Sequence, residues 1–170
     1  MNDNDGLMLA EEPAKGSERL KRQPWRVLVV DDEEEVHAVS KLALEDFEFN
    51  GRGLEMIHAY SGQEAKEIMA KEAEIALILL DVVMETDHAG LEVVQYIREQ
   101  LGNRFVRIIL RTGQPGQAPE YKVITEYDIN DYKSKTELTR QKLFTAVYTS
   151  LSSYRDLMAI ECNRKGLEKV

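Results

Sequence analysis

Asp31 and Asp32 close the apolar run Trp25-Arg26-Val27-Leu28-Val29-Val30, and Asp81 closes a second run, Ile75-Ala76-Leu77-Ile78-Leu79-Leu80. Apolar runs this short, each stopped by an acid, read as buried parallel strands. In an open α/β sheet, ligands bind just beyond the C-terminal ends of such strands. Three carboxylates gathered there repel one another unless a hard cation offsets them, and an all-oxygen set suits Mg²⁺. A carboxylate is also a nucleophile able to attack phosphorus and form an acyl phosphate, and Asp81 is the candidate nucleophile. A third run, Arg107-Ile108-Ile109-Leu110, leads to Arg111-Thr112-Gly113, where Thr112 offers a hydroxyl to a phosphoryl oxygen. A fourth segment ends in Tyr132-x-x-Lys135, which supplies an ammonium, with Lys133 as its competitor.

The elements that must position these residues alternate. Leu54 to Ala59 reads as a further strand, entered through Asn50-Gly51-Arg52-Gly53. Between the strands, Val36, Val39, Ala43 and Phe47 recur at helical spacing and predict one apolar face. Ser61 and Glu64 predict a capping box opening a second helix. Leu91, Val94, Ile97 and Leu101 mark a third helix, ended by Gly102-Asn103, and Pro119 suits the first turn of a fourth. A last helix is expected from about Thr136, with a stripe at Phe144, Val147, Leu151, Tyr154 and Met158. That stripe is either core-facing or, beyond Leu151, a linker or dimer seam. Five strand-helix repeats require a parallel sheet covered on both faces, and right-handed crossovers leave a doubly wound, five-stranded sheet in flavodoxin-like order as the economical solution.

The ordered set of acid pair, lone Asp, Thr-Gly and Tyr-x-x-Lys resembles the receiver domain of two-component response regulators, over residues 25–150. The wording Leu80-Asp81-Val82-Val83-Met84-Glu85-Thr86-Asp87 narrows the likeness, as do the stretches from Arg111 to Glu120 and from Ile129 to Thr139. All three look like the receiver that precedes a DUF3369 domain in bacterial signalling proteins, often followed by an output domain that handles cyclic-di-GMP.

The resemblance implies that Asp81 is the phosphoacceptor, served by a histidine kinase or a phosphotransfer protein. It implies Mg²⁺ held by Asp31, Asp32, Asp81 and the carbonyl of Val83, with Asp32 in direct contact and Asp31 largely through water. It selects Lys135 over Lys133, which stands where receivers are usually apolar, as the phosphate-binding ammonium beside Thr112. It makes Thr112 and Tyr132 the switch pair; the plainer reading of Tyr132 is a tyrosine packed for stability.

Three departures stand out. Glu85 replaces a usual proline, an extra residue with His88 separates Asp81 from Gly90, and Thr136 replaces the proline that usually follows the lysine, often through a cis bond. The apolar Val83 side chain stands where hydrolytic water would approach, so slow self-dephosphorylation is expected, and a phosphoryl half-life of seconds would refute it.

Composition excludes other classes. A net charge of −9 over 170 residues argues against a nucleic-acid or membrane surface, while 43% apolar residues suffice for one core. The lone Cys162 leaves no disulfide framework or cysteine zinc site. No run is apolar enough to span a bilayer and no signal-peptide core is present, so a cytoplasmic protein is expected. His37, His58 and His88 show no metal-ligand spacing, and His58 reads as packed. Residues 1–24 read as a disordered arm, and residues 151–170 as a helical linker towards an output domain outside the chain.

The expected function is a phosphoryl-accepting switch and not a turnover enzyme, with a homodimer permitted by the C-terminal helix. The runner-up is a phosphorylation-independent interaction module on the same fold. A phosphatase of the haloacid-dehalogenase kind is disfavoured because Val83 stands where that chemistry needs a second acid.

Overall fold

The computed structural model describes residues 23–113 and 120–168. The predicted arm lies, but for its last two residues, outside the described residues, as does Pro119. The strands are β1 (Trp25–Val30), β2 (Leu54–Ala59), β3 (Ile75–Asp81), β4 (Arg107–Thr112) and β5 (Asp131–Ser134). The helices are α1 (Glu34–Ala43), α2 (Gly62–Lys71), α3 (Ala89–Gln95, continued by a π turn at Tyr96–Gln100), α4 (Glu120–Tyr127) and α5 (Arg140–Glu168). All neighbouring strands pair in parallel, in the order β2-β1-β3-β4-β5. This is the expected doubly wound arrangement, and the order reverses between β1 and β3.

Alternation along the strands splits the core in two. Trp25, Val27, Val29, Leu77, Leu79 and Ile109 face α5 and the end of α1, packing with Leu143, Val147, Leu151 and Tyr154. Leu28, Val30, Ile78, Leu80, Ile108 and Leu110 face the other way, onto Met69 of α2, Val94 and Ile97 of α3 and Val123 of α4. β3 is buried along its whole length because helices cover both its faces.

Several boundaries differ from the sequence expectation, each for a local reason. α1 ends at Ala43, and its buried face is His37, Ser40 and Ala43, while Val39 is 58% exposed. The inward side of α1 is polar because it meets hydrogen-bond partners at the strand ends. At α2, the Ser61 hydroxyl accepts from the Glu64 amide, 3.1 Å, as predicted. The returning Glu64 carboxylate takes the Tyr60 amide, 3.2 Å, one residue before the expected partner. In the π turn the Leu101 amide reaches back to the Tyr96 carbonyl, 2.9 Å, and Gly102 then stops the helix at φ +63°.

α5 starts at Arg140, four residues later than expected. The Ser134 and Thr136 hydroxyls bond each other at 2.8 Å, and the Glu137 amide bonds the Ser134 carbonyl at 3.1 Å, so a turn takes the intervening residues. Its buried stripe is Leu143, Val147, Leu151 and Tyr154; Phe144 and Met158 of the predicted stripe are exposed. Phe144 instead rests on Phe47 at the rim, with ring centroids 4.8 Å apart. Tyr154 packs edge-on against Trp25, so core contacts extend past Leu151. The Lys135–Thr136 bond is trans.

Candidate functional site

The C-terminal ends of β1, β3, β4 and β5 converge on three acids. Asp31 is fully buried just beyond β1, Asp81 is buried at the last position of β3, and Asp32 is exposed. One carboxylate oxygen from each lies within 4.8 Å of the others. Lys135 reaches them from the segment after β5, its Nζ 2.9 Å from Asp31 Oδ2, 3.1 Å from Asp81 Oδ2 and 3.8 Å from Glu33. Lys133 does not approach; its Nζ lies 3.7 Å from Asp131. The Lys135 backbone amide donates to the Thr112 carbonyl at 2.8 Å, prolonging the β4–β5 ladder to bring the ammonium over the acids.

Burial and like charge set the electrostatics. Burial, then Asp31, then Asp32 push Asp81 from 3.8 up to about 6, with Lys135 opposing. Burial pulls Lys135 down, but Asp31 and Asp81 outweigh it and hold the ammonium above its ordinary value. Three carboxylates so close, with oxygen donors only, fit a hard cation such as Mg²⁺.

Thr112 is buried at the end of β4. Tyr132, on β5, is half-buried against the cluster that includes α4. Val83 is half-buried in the loop after β3. That loop is tied at both ends: the Val82 amide donates to the Arg111 carbonyl at 3.2 Å, and the Gly90 amide to the Val82 carbonyl at 2.9 Å. Gly90 has no room for a side chain, since a Cβ there would stand 2.1 Å from the Asp81 carbonyl oxygen.

The residues that the motifs missed are those that hold this arrangement. Glu85 accepts the Gly62 and Gln63 amides, 2.8 and 3.2 Å, clamping the acceptor loop onto the start of α2. His37 Nε2 donates to the Asp31 carbonyl at 2.7 Å, which leaves its Nδ1 to accept from His58 Nδ1, also 2.7 Å away, when both rings are neutral. Burial and then His37 lower the pKa of His58. Arg111 is 4% exposed, its Nη1 bonded to Ser40 Oγ at 3.0 Å. A charged residue closing the run Ile108-Ile109-Leu110, two positions from the core-facing Ile109, was the one available sign of it.

Comparison with known proteins agrees with this geometry. The profile of the response regulator receiver domain matches residues 27–148. A 3′3′-cGAMP-specific phosphodiesterase 2 of Vibrio cholerae serotype O1 is 54% identical over 165 residues, 95% of this chain and 32% of that protein. The chain thus spans about a third of that relative's length. Among solved structures, a CheY-like receiver domain protein from Methanospirillum hungatei superposes with a TM-score of 0.67 at 19% identity, covering 79% of this chain and 98% of that one. The signal receiver domain of an HD domain-containing protein from Pseudomonas fluorescens gives 0.66 at 23%, covering 79% and 99%. Both show the fold alone. Among the described residues, no helix is long and apolar enough to cross a membrane.

Proposed function

This chain belongs to the response regulator receiver domain family, and on that premise we propose that it accepts a phosphoryl group on Asp81 and passes the change to an output region. The observation that carries the reading is the bridging of Asp81 and Asp31 by one ammonium, that of Lys135. The site thereby holds a nucleophilic carboxylate, a place for a cation and a movable positive charge.

In the transfer, an Asp81 Oδ forms a bond to phosphorus while the bond from phosphorus to the donor breaks, and the donor leaves with its electron pair. Asp32, Asp31, Asp81 and the Val83 carbonyl would hold Mg²⁺, which when bound offsets charge on the acceptor and on the transferring group. Lys135 releases Asp81 Oδ2 and pairs with a phosphoryl oxygen, a move its flexible stem allows. The Thr112 hydroxyl takes another phosphoryl oxygen. Tyr132 follows Thr112 inward, which reshapes the surface of α4, β5 and α5.

The donor is a histidine kinase or a phosphotransfer protein. The receiver region is residues 25–150, and residues 151–170 form the helical link to the output region, with a homodimer through α5 as one way to couple them. The 54% identity to a cyclic-dinucleotide phosphodiesterase supports an output concerned with cyclic dinucleotides, and membership of the receiver family supports a cytoplasmic setting. The DUF3369-type context rests on the sequence wording alone. The chain is a switch and does not turn over a substrate.

Labelled phosphoryl offered on a phosphohistidine donor tests this. The label should transfer to the chain and be released by hydroxylamine, as an acyl phosphate is. Label that resists hydroxylamine, or no transfer from any histidine donor, would overturn the reading.

A further inference from the structure

Arg111 is a buried charged group that the proposed chemistry does not use. On β1, β3 and β4, the residues Val27, Val29, Leu77, Leu79 and Ile109 share one face of the sheet. Two residues beyond Val29, Leu79 and Ile109, alternation brings Asp31, Asp81 and Arg111 to that same face. The register sets them side by side: Val30 pairs with Leu80 and Asp81 pairs with Arg111. Three neighbouring strands therefore end in acid, acid and guanidinium.

The guanidinium is held but not neutralised by contact. Nη1 donates to Ser40 Oγ, while Nε and Nη2 are buried without a hydrogen-bond partner in the structure. A buried charge in that condition is costly unless a field of opposite sign compensates it. Burial disfavours the charged guanidinium most strongly, and the row supplies an opposing field through Asp31 and then Asp81. Lys135, partly exposed on a flexible stem, is free to leave the acids; Arg111, locked between β4 and Ser40 of α1, is not.

We propose that Arg111 is a positioning residue that supplies a permanent internal cation to the acidic row, keeping the carboxylates gathered when no divalent ion is bound and weakening the hold on that ion when one is. This deepens the reading of Asp31, Asp32 and Asp81 as a divalent-cation site and rests on it. A divalent ion can displace Lys135 but must always share the row with Arg111. The affinity is thus set low by design of the strand, which ties stable occupancy to the arrival of phosphoryl oxygens.

The test is calorimetric titration of the full chain with Mg²⁺, for wild type, Arg111→Met, Arg111→Gln, Arg111→Lys and Asp32→Asn, with melting temperatures recorded in metal-free buffer. Removing a buried unit charge from the row that would hold a divalent ion should tighten binding at least about fivefold in the Met and Gln variants, with little loss of the effect at high salt. The Lys variant should stay within about twofold of wild type, because it keeps the charge. Both neutral variants should melt lower than wild type without metal and recover more on adding it. Unchanged or weaker Mg²⁺ binding in the neutral variant that folds would overturn the role of Arg111, as would equal tightening by Lys. If Asp32→Asn binds Mg²⁺ as wild type does, the ion is elsewhere, and the reading of the site fails together with the inference.

Discussion

Lys135 Nζ lies 3.1 Å from Asp81 Oδ2, and the same ammonium lies 2.9 Å from Asp31 Oδ2. One lysine thus binds together two carboxylates from different strands, both almost wholly buried. Without it, two acids in a low-dielectric pocket would face each other directly. Replacing Lys135 by Met should cost about 2–3 kcal/mol of metal-free stability, less than the ~3–5 kcal/mol for breaking a fully buried pair because Lys135 is partly exposed. Urea unfolding measures this, and Mg²⁺ should restore most of the loss. A loss no larger than for an ordinary surface lysine would show that the bridge is not a stabilising contact.

Asp81 is held near 6 instead of 3.8, first by burial and then by Asp31. The folded protein therefore binds the Asp81 proton more tightly than the unfolded chain does. Asp81 supports the fold while protonated, and that support is lost as pH rises through about 6. Asp81→Asn should accordingly stabilise the metal-free protein by about 2–3 kcal/mol at mildly alkaline pH, with the gain shrinking under acid conditions. A gain that stays constant across that range would contradict the assignment.

Gly90 meets the acceptor strand through backbone. A Cβ at this position would lie 2.1 Å from the Asp81 carbonyl oxygen and 2.8 Å from the Val82 Cα, neither of which can rotate away. Gly90→Ala should destabilise by about 2–3 kcal/mol and reduce phosphoryl acceptance more than the fall in stability explains, because the loop after Asp81 must shift. A variant as stable and as readily phosphorylated as wild type would mean that the loop is looser than described.

Tyr154 ties the later part of α5 to the sheet through Trp25, the one tryptophan of the chain. Tyr154→Ala should cost about 2–3 kcal/mol and shift Trp25 fluorescence, since an edge-on aromatic neighbour is lost together with buried area. Truncation after Leu151 should do the same. If truncation leaves stability unchanged, the domain boundary at residue 150 stands and the later helix is linker alone.

Much of this site was legible because its residues end apolar runs. A buried parallel strand has few polar positions, so Asp31, Asp81, Thr112 and the Tyr132-x-x-Lys135 spacing stand out against Val, Ile and Leu. Arg111 was less legible, since a charge at a strand end looks like the start of a loop; parity with Ile109 is what buries it. The inward face of α1 was placed on Val36 and Val39, whereas His37 and Ser40 occupy it beside Ala43. The strand ends demanded polar partners there instead. The contact of His37 with His58 joins a helix to a neighbouring strand and leaves no periodic trace. Nor does the clamp from Glu85 to Gly62, which joins a loop to the start of a helix. The phase of α5 was missed by one residue at Phe144, because an aromatic ring at the edge of a helix can cover a rim residue while Leu143 fills the core.

The most direct test of the central claim is the intact mass of the chain after incubation with acetyl phosphate and Mg²⁺, for wild type and Asp81→Asn. The account predicts a gain of one phosphoryl group in wild type that needs Mg²⁺ and is absent from the variant. The same gain in Asp81→Asn, or none in a folded wild type that binds Mg²⁺, would contradict it.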